Sequence, residues 1–153
     1  MRAGLLAAAL IALATIAAAP PASPADQIAT RIAGLRELGA AMKAIKDGIA
    51  PPEVQTILVQ QAARQIVNGS SQMPGWFPTG SGPAPGLKTA AKAEIWAQPD
   101  KFAAARDAFV AEAAKFQAIA KVGDAVAIRA EVPKLGATCG GCHDHFREKE
   151  QPK

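Results

Sequence analysis

The sequence predicts an all-α protein, an antiparallel four-helix bundle, and two observations lead to this prediction. Apolar residues recur at steps of three and four in four separate segments, which is the spacing of an amphipathic helix. No segment shows the sustained alternation of apolar and polar residues that is typical of a half-buried strand. Four amphipathic helices that each bury one face pack together as a bundle.

Residues 1–25 have the composition of a secretory signal peptide. A basic residue precedes the apolar run LLAAALIALATIAAA, small residues and prolines follow it, and Asp26 is the first acidic residue. The run is shorter than the roughly 20 residues that a membrane-spanning helix needs, and no charge cluster follows it. We therefore expect export to the periplasm, with cleavage after Ala19, Ala22 or Ala25.

Residues 26–153 are enough for one domain with a single core. Loss of the leader would leave 16 basic against 13 acidic residues, a mild net charge near +3. The chain has no run of basic residues and no tyrosine, so its composition gives no support to nucleic-acid binding.

The first two helices are predicted on either side of a proline pair. The first covers residues 26–48, and the prolines at 51–52 end it and can form the first turn of a second helix, EVQTILVQQAARQIV. Asn68 and Gly69 are expected to end the second helix. The apolar face of the first helix is Ile28, Ile32, Leu35, Leu38, Met42, Ile45 and Ile49, and that of the second is Val54, Ile57 or Leu58, Ala62 and Ile66.

A long loop is predicted between Gly69 and Gly86, because half of these residues are glycine or proline. Loops of this length in a compact domain are usually either functional or disordered. Trp76 and Phe77 argue against disorder, since both have a large apolar area to bury.

The third helix is expected to begin at Pro99 and to end at Gly123, where Asp124 can cap the fourth helix. Pro133 should remove one backbone hydrogen bond and bend the fourth helix. The apolar face of the third helix is Phe102, Ala105, Phe109, Phe116 and Ile119, and that of the fourth is Ile128, Val132, Leu135, Cys139, Cys142 and Phe146.

The stretch ATCGGCHDHF, residues 137–146, contains both cysteines of the chain. On a helix, residues three and four apart are neighbours, so Cys139, Cys142 and His143 converge on one face. The spacing C-x-x-C-H is that of covalent haem attachment, in which the two thiols bind the vinyl groups and the imidazole binds the iron. The motif therefore predicts one haem c, with His143 as its metal ligand.

Three other interpretations of the motif are weaker. A zinc site needs four ligands, and the only remaining histidine, His145, points about 200° around the helix from His143. A redox C-x-x-C belongs at the start of a helix that follows a strand, whereas this one lies at the end of a helix. A disulfide across one helical turn is strained and would leave His143 without a role.

Other stretches agree with this interpretation in the order in which they occur. The chain has RIAGLRELGAAMK in its first helix, PGWFPTGSG in the long loop, EIW before the third helix and CGGCHDHFR near its end. With this set the sequence resembles the class II c-type cytochromes, specifically the cytochrome c′ family. The resemblance covers the whole of residues 26–153, and its C-terminal motif is the specific part.

The resemblance implies roles for the matching residues. Cys139 and Cys142 would form the thioether links, and His143 would be the proximal ligand. Arg147 matches an arginine beside the proximal face, and Arg31 matches a first-helix arginine near the haem propionates. Phe146 stands where the family usually has tyrosine, so a hydrogen bond from that hydroxyl group is absent.

The sixth coordination position decides between two functions. Low-spin relatives have a methionine ligand four residues after the Arg31 position, where this chain has Leu35, and leucine has no lone pair to offer the iron. Met42 lies two turns further along the helix, about 10.5 Å along the axis, and Met73 lies in the loop. The resemblance thus implies a mostly five-coordinate, high-spin iron, and a low-spin electron carrier with Met42 or Met73 bound is the alternative.

The expected function is electron transfer, binding of nitric oxide or carbon monoxide, or both, in the periplasm. An enzyme such as a peroxidase is not expected, because Leu35 is apolar and no upstream histidine can serve as a distal acid or base. A haem-free helical interaction module is the last alternative. The family's bundles are commonly homodimers through the first two helices, and the sequence does not identify a redox partner.

Overall fold

A computed structural model describes residues 22–149 and confirms the four-helix bundle. Within this range no strand forms, and the one β-bridge pairs Ala91 with Arg147. The elements in chain order are α1 (Pro24–Ile49), α2 (Thr56–Gln72), a 3₁₀ turn (Met73–Trp76), the short α3 (Glu94–Ala97), α4 (Pro99–Val122) and α5 (Ala125–Phe146).

The four long helices form a ring of neighbours that is open on one side. Extensive contacts join α1 to α2, α2 to α4, and α4 to α5, and each of these pairs is antiparallel. Contacts between α1 and α5 are sparse. The interior is therefore accessible along the side where these two helices face each other.

The core follows the predicted apolar faces. Side chains of Ile45, Ile66, Phe116, Ile128 and Leu135 are almost completely buried, and Phe109 and Phe102 are buried one and two heptads before Phe116. Burying such side chains contributes about 1.5–3 kcal/mol each to folding, which makes this shared interior the main stabilising feature of the bundle.

The predicted caps of the last two long helices are present. Gly123 ends α4 in the left-handed conformation, with φ of 85°, which glycine adopts without strain. The Asp124 carboxylate accepts hydrogen bonds from the backbone N–H groups of Val126 and Ala127, at 2.8 and 2.9 Å. Pro133 lies inside α5, which continues past it to Phe146.

The prediction for the second helix was wrong at both ends. The proline pair does not begin a helix, because the Arg129 guanidinium donates to the carbonyl oxygens of Ile49, Pro51 and Pro52 and holds them away from helical bonding. Gly69 does not end the helix, since its lack of a Cβ atom lets Leu38 pack against the backbone there. Of the two alternatives for its apolar face, Leu58 is half-buried and Ile57 is two-thirds exposed, and the completely buried residue of this turn is Val59.

The long connection begins later than predicted, since α2 and the 3₁₀ turn continue to Trp76. Trp76 is buried and Phe77 is half-buried, as expected from their apolar area. Phe77 stacks edge-on against Phe102, with 4.8 Å between ring centroids. The indole N–H of Trp96 donates to the carbonyl oxygen of Pro78 at 3.1 Å.

The predicted leader, residues 1–25, lies outside the described residues except for its last four positions. In the described part of the chain, no helix combines the length and the apolar character that crossing a bilayer requires.

Candidate functional site

A cavity of about 1060 Å³ occupies the open side of the bundle. Its walls are formed by α1, by the connection from Phe77 to Ala91, by α4 and by the last turns of α5. Cofactor and ligand sites usually measure roughly 300–1,000 Å³, so this cavity lies slightly above the upper end of that range.

The cysteine motif lies on the wall that α5 contributes. Cys139, Cys142 and His143 all line the cavity, because their spacing of three and four places them on one face. Gly140 and Gly141 lie between them, and a Cβ atom at either position would meet nothing within 4 Å. Close packing therefore does not explain these two glycines.

Both thiols are free and half-buried in the structure. Burial raises the pKa of Cys139 and of Cys142 above the ordinary value of a thiol. Burial of part of the ring, together with the nearby charge of Arg147, lowers the pKa of His143, which favours the neutral imidazole with its free lone pair. A neutral imidazole is the form that binds metal ions.

The opposite wall, which α1 contributes, contains an apolar part between its basic residues. Leu35 and Ile32 of α1 are half-buried and line the cavity. Met42, further along α1, also lines it and approaches α5, where a Cβ atom at Gly136 would lie 3.6 Å from the Met42 methyl group. Met73 is buried, with its side chain at the same cavity. The structure thus places both candidate sulfur ligands at the cavity, together with Leu35.

Arg31 is almost completely buried and holds the long connection in place. Its guanidinium donates to the carbonyl oxygens of Trp76 and Ser81 and to the hydroxyl groups of Ser81 and Thr89, at 2.9 to 3.3 Å. The group also lies over the rings of Phe77 and Trp96, at 5.0 and 5.7 Å. Burial lowers the pKa of Arg31, and the described residues place no carboxylate against it.

Comparison with known proteins agrees with this geometry. The family model for cytochrome c′ matches residues 26–147. This chain belongs to the cytochrome c′ family. A cytochrome c′ from Rhodospirillum rubrum is 35% identical over 149 residues, covering 96% of this chain and 99% of the relative.

Solved structures of the family have the same fold. A cytochrome c′ with ligand-controlled dimer dissociation superposes with a TM-score of 0.79 and 29% identity, covering 85% of this chain and all of that one. A nitric oxide complex of a cytochrome c′ variant from Alcaligenes xylosoxidans superposes with a TM-score of 0.75 and 23% identity, covering 86% of this chain and all of that one.

Cytochromes c′ bind haem c, and the side chains at this cavity fit that cofactor. Two thiols and one neutral imidazole are the groups that attach and ligate a haem, and an apolar wall faces them. Within residues 22–149 no group of three or more histidine, cysteine, aspartate or glutamate side chains could hold a metal ion by itself. The donor set is therefore that of a haem and not that of a zinc site.

The remaining residues that the cytochrome c′ resemblance identified also lie near the cavity. Arg147 lines it directly after the end of α5, and the backbone N–H of Lys92 donates to the carbonyl oxygen of Phe146 at 3.0 Å. Phe146 is buried and stacks edge-on against Phe102, at 5.3 Å. His145 does not line the cavity; it is exposed, and its Nδ1 lies 3.0 Å from the carbonyl oxygen of Gly141.

Sequence reasoning missed the residues that bind Arg31. Ser81, Thr89 and Trp96 carry no recognisable spacing, because they meet Arg31 only after the connection folds back over α1. The one signal was compositional: a stretch rich in glycine and proline that also contains large aromatic residues is a loop with a buried side.

Proposed function

We propose that this cytochrome c′ family member is an exported, periplasmic haem c protein with an open sixth position at the iron. Its function would be electron transfer and the binding of nitric oxide or carbon monoxide. The observation that supports this most directly is the meeting of two thiols, a neutral imidazole and an apolar wall at one cavity. A bound haem would supply the redox-active iron to which a gas molecule binds.

The α5 residues would hold the cofactor. Cys139 and Cys142 would form the two thioether links, and His143 would give its lone pair to the iron from the proximal side. Arg147 would lie beside that imidazole, where its positive charge favours the neutral form. Arg31 would fix the wall of the cavity by binding the connection, and none of the described carboxylates pairs with it in competition with a propionate.

Leu35 would cover the distal side of the iron. Its side chain offers neither a lone pair nor a proton, so it excludes water and anions more strongly than it excludes a neutral diatomic molecule. Access would require the leucine to move, which its half-buried position permits. The nitric oxide complex of the Alcaligenes xylosoxidans protein has the same fold and supports this proposal.

An enzymatic role is not part of the proposal. His143 is the only imidazole of the described residues at the cavity, and it is assigned to the iron. No carboxylate lines the described walls, so the distal side has no acid–base pair of the kind that peroxide chemistry uses.

A low-spin electron carrier is the second candidate. The observation that favours it is the position of Met42 and Met73, whose side chains both line the cavity. Spin state separates the two candidates, because a thioether bound at the sixth position would give a six-coordinate, low-spin iron.

Absorption and resonance Raman spectra of haem-loaded variants test the proposal. Wild-type protein is expected to be five-coordinate and high-spin, and Leu35→Met should shift it toward a low-spin state. Leu35→Ala should open the distal side and speed carbon monoxide binding in stopped flow, whereas Met42→Leu should change neither property. A low-spin wild-type protein that becomes high-spin on Met42→Leu or Met73→Leu would establish the second candidate instead.

Export can be tested at the N-terminus of the purified protein. Cleavage after Ala19 or after Ala22 keeps Ser23, whose hydroxyl accepts from the Asp26 N–H while the Asp26 carboxylate accepts from Ser23. Pro20 directly follows Ala19 and makes that point the less favourable of the two, so we expect cleavage after Ala22. Cleavage after Ala25 would remove this cap. N-terminal sequencing of protein from the periplasmic fraction should begin at Ser23, and recovery of the full chain from the cytoplasm alone would reject export.

We also propose a homodimer through α1 and α2. A solved relative shows ligand-controlled dimer dissociation, which supports the idea that dimers occur in this family. Analytical ultracentrifugation with and without carbon monoxide would establish the state of this chain, and a monomer at every concentration tested would exclude the dimer.

A further inference from the structure

The charges of this protein are divided unevenly between the cavity and the remaining surface. Seven arginine and lysine residues line the cavity, and none of the described aspartate or glutamate residues does. The rest of residues 22–149 contains eight basic and twelve acidic residues. The described residues therefore concentrate positive charge at the cavity, and the rest of their surface has an excess of negative charge, although the net charge of the chain is small.

Six of the seven cations form a basic rim around the cavity mouth. They come from α1, from α4, from the long connection and from the position directly after α5, and each is exposed or half-exposed, unlike the buried Arg31. The basic rim consists of Arg36, Lys43, Lys46, Lys88, Arg106 and Arg147. A haem held in this cavity would be reached from solvent through the mouth, so these charges would surround the route by which electrons enter or leave.

Internal ion pairs cancel only part of this field. Lys43 binds Asp47 at 2.6 Å, and Arg106 binds its neighbour Asp107 at 2.8 Å. Both carboxylates are more than half exposed, and neither aspartate lines the cavity. The two propionates of a bound haem would reduce the positive excess without removing it.

We infer that the basic rim is the docking surface for an acidic electron-transfer protein. This inference rests on the proposed function, and it adds the chemistry of the partner. A neutral gas gains nothing from a charged mouth, whereas a negatively charged protein is steered to it and oriented with its redox centre toward the haem. Steering of this kind raises association rates by about 10–10³-fold and weakens as ionic strength rises.

Lysine footprinting tests the docking surface without relying on electron transfer. Haem-loaded protein would be acetylated with and without an excess of a flavodoxin, used as an acidic redox protein of known structure, and the sites read by mass spectrometry. Lys46 and Lys88 of the rim should be protected at low salt and lose their protection at high salt. Lys121, exposed at the other end of the bundle, is the internal control. Absence of rim protection, or equal protection of Lys121, would overturn the inference.

Matched charge-reversal variants test the same surface by kinetics. The double variant Lys46→Glu and Lys88→Glu is compared with Arg64→Glu and Lys121→Glu, which change the net charge equally but lie away from the rim. At low ionic strength, reduction by photoreduced flavodoxin should slow by about tenfold in the rim variant and by less than about twofold in the control. Equal slowing in both would mean that only net charge matters, and no slowing would mean that the rim does not dock the protein.

Ferricyanide, which oxidises the reduced haem, serves as the small-anion arm of the experiment. If the rim variant slows oxidation by ferricyanide but does not slow reduction by flavodoxin, the rim attracts small anions only, and the inference is wrong. Haem content, measured beforehand as the pyridine haemochrome, distinguishes a failure of the proposed function from a failure of the docking surface. A chain that takes up no haem overturns the proposed function, whereas haem-loaded variants with unchanged kinetics overturn the docking surface alone.

Discussion

At one end of the bundle, the closed end, α1 connects to α2 and α4 connects to α5, and side chains fill the interior. At the opposite end, the open end, a cavity of about 1060 Å³ lies between the same helices. The closed end has short connections, and its core residues Ile45, Val59, Phe116 and Ile128 are completely buried. The open end has the long connection and the half-buried Leu35.

The two ends differ in what keeps them ordered. The closed end is stabilised by apolar packing, together with Arg129 hydrogen bonds to the carbonyl groups of the first connection. The open end has less apolar material between its helices, and the polar network around Arg31 holds its wall. This contrast indicates that the bundle can fold on the packing of one end while the other is kept open for a cofactor.

The largest expected effect comes from shortening a core side chain at each end. Phe116→Ala should lower the free energy of unfolding of the haem-free protein by about 3–5 kcal/mol, because it leaves a cavity in the closed end. Leu35→Ala should cost less than about 2 kcal/mol, since this side chain already borders a cavity. Urea denaturation measures both values, and equal losses would show that the two ends are packed alike.

The next effect concerns the polar network of the open end. Arg31→Met should destabilise the haem-free protein by about 3 kcal/mol, because it leaves buried hydroxyl and carbonyl groups without their donor. Limited proteolysis should also cut faster within residues 77–93. Arg36→Met, on an exposed part of the same helix, is the control and should do neither. Unchanged proteolysis in Arg31→Met would mean that other contacts hold the connection.

A pair of glycines on α1 separates packing from helix propensity. At Gly34, a Cβ atom would lie 2.3 Å from the buried Trp76 ring, whereas at Gly39 it would meet nothing within 4 Å. Gly34→Ala should therefore destabilise the protein by about 1–3 kcal/mol through overpacking. Gly39→Ala should stabilise it by about 0.5–1 kcal/mol. Thermal denaturation would reveal the opposite signs, and a stabilising Gly34→Ala would show that Trp76 does not pack there.

The smallest expected effect is a pH dependence of the free energy of unfolding. It comes from a charge cluster at the interface of α4 and α5, which belongs to neither end alone. Lys115 and Lys134 lower the pKa of Glu131 from its ordinary value near 4.5 to about 2. A carboxylate whose pKa is lower in the folded than in the unfolded state stabilises the fold at pH values above the unfolded-state pKa. This stability is lost as the pH falls through the folded-state pKa. Stability should thus decrease from about pH 5 to about pH 2, and the decrease should be smaller in Glu131→Gln.

The neighbouring Glu112 acts in the opposite direction, because its hydrogen bond to Glu131 raises its pKa. The exposed Glu53→Gln is the matched control, since it removes the same charge outside this cluster. If Glu53→Gln and Glu131→Gln reduce the loss of stability at low pH equally, the charge cluster around Glu131 is not the cause of that loss.

The closed end could be predicted from the sequence in more detail than the open end. Helical periodicity is a local signal, so it identified the faces that contain Ile45, Phe116 and Leu135. The cysteine motif is also local, and its spacing on one helix was sufficient to predict that Cys139, Cys142 and His143 share a face. Ile57 was one of two alternatives for the apolar face of the second helix, and it is exposed. In the first turn of a helix whose start is uncertain, periodicity does not determine which residue faces the core.

The walls of the open end depend on contacts between distant parts of the chain. Arg31 meets Ser81 and Thr89 fifty and fifty-eight residues later, and no periodic pattern connects them. The basic rim was missed for the same reason: its members come from two helices, the long connection and the position after α5, and the mild net charge concealed their convergence. Local physics thus predicts the helices, and tertiary folding determines the mouth of the cavity.

The central claim is that the open end holds a haem bound covalently by Cys139 and Cys142, and intact-protein mass spectrometry tests it most directly. Protein expressed with a haem-maturation system and then denatured should carry the added mass of one haem. Replacement of both cysteines by alanine should abolish that mass, whereas His143→Ala should leave the two thioether links able to form. A wild-type chain of apoprotein mass, with maturation confirmed on a known c-type cytochrome in the same cells, would contradict the account.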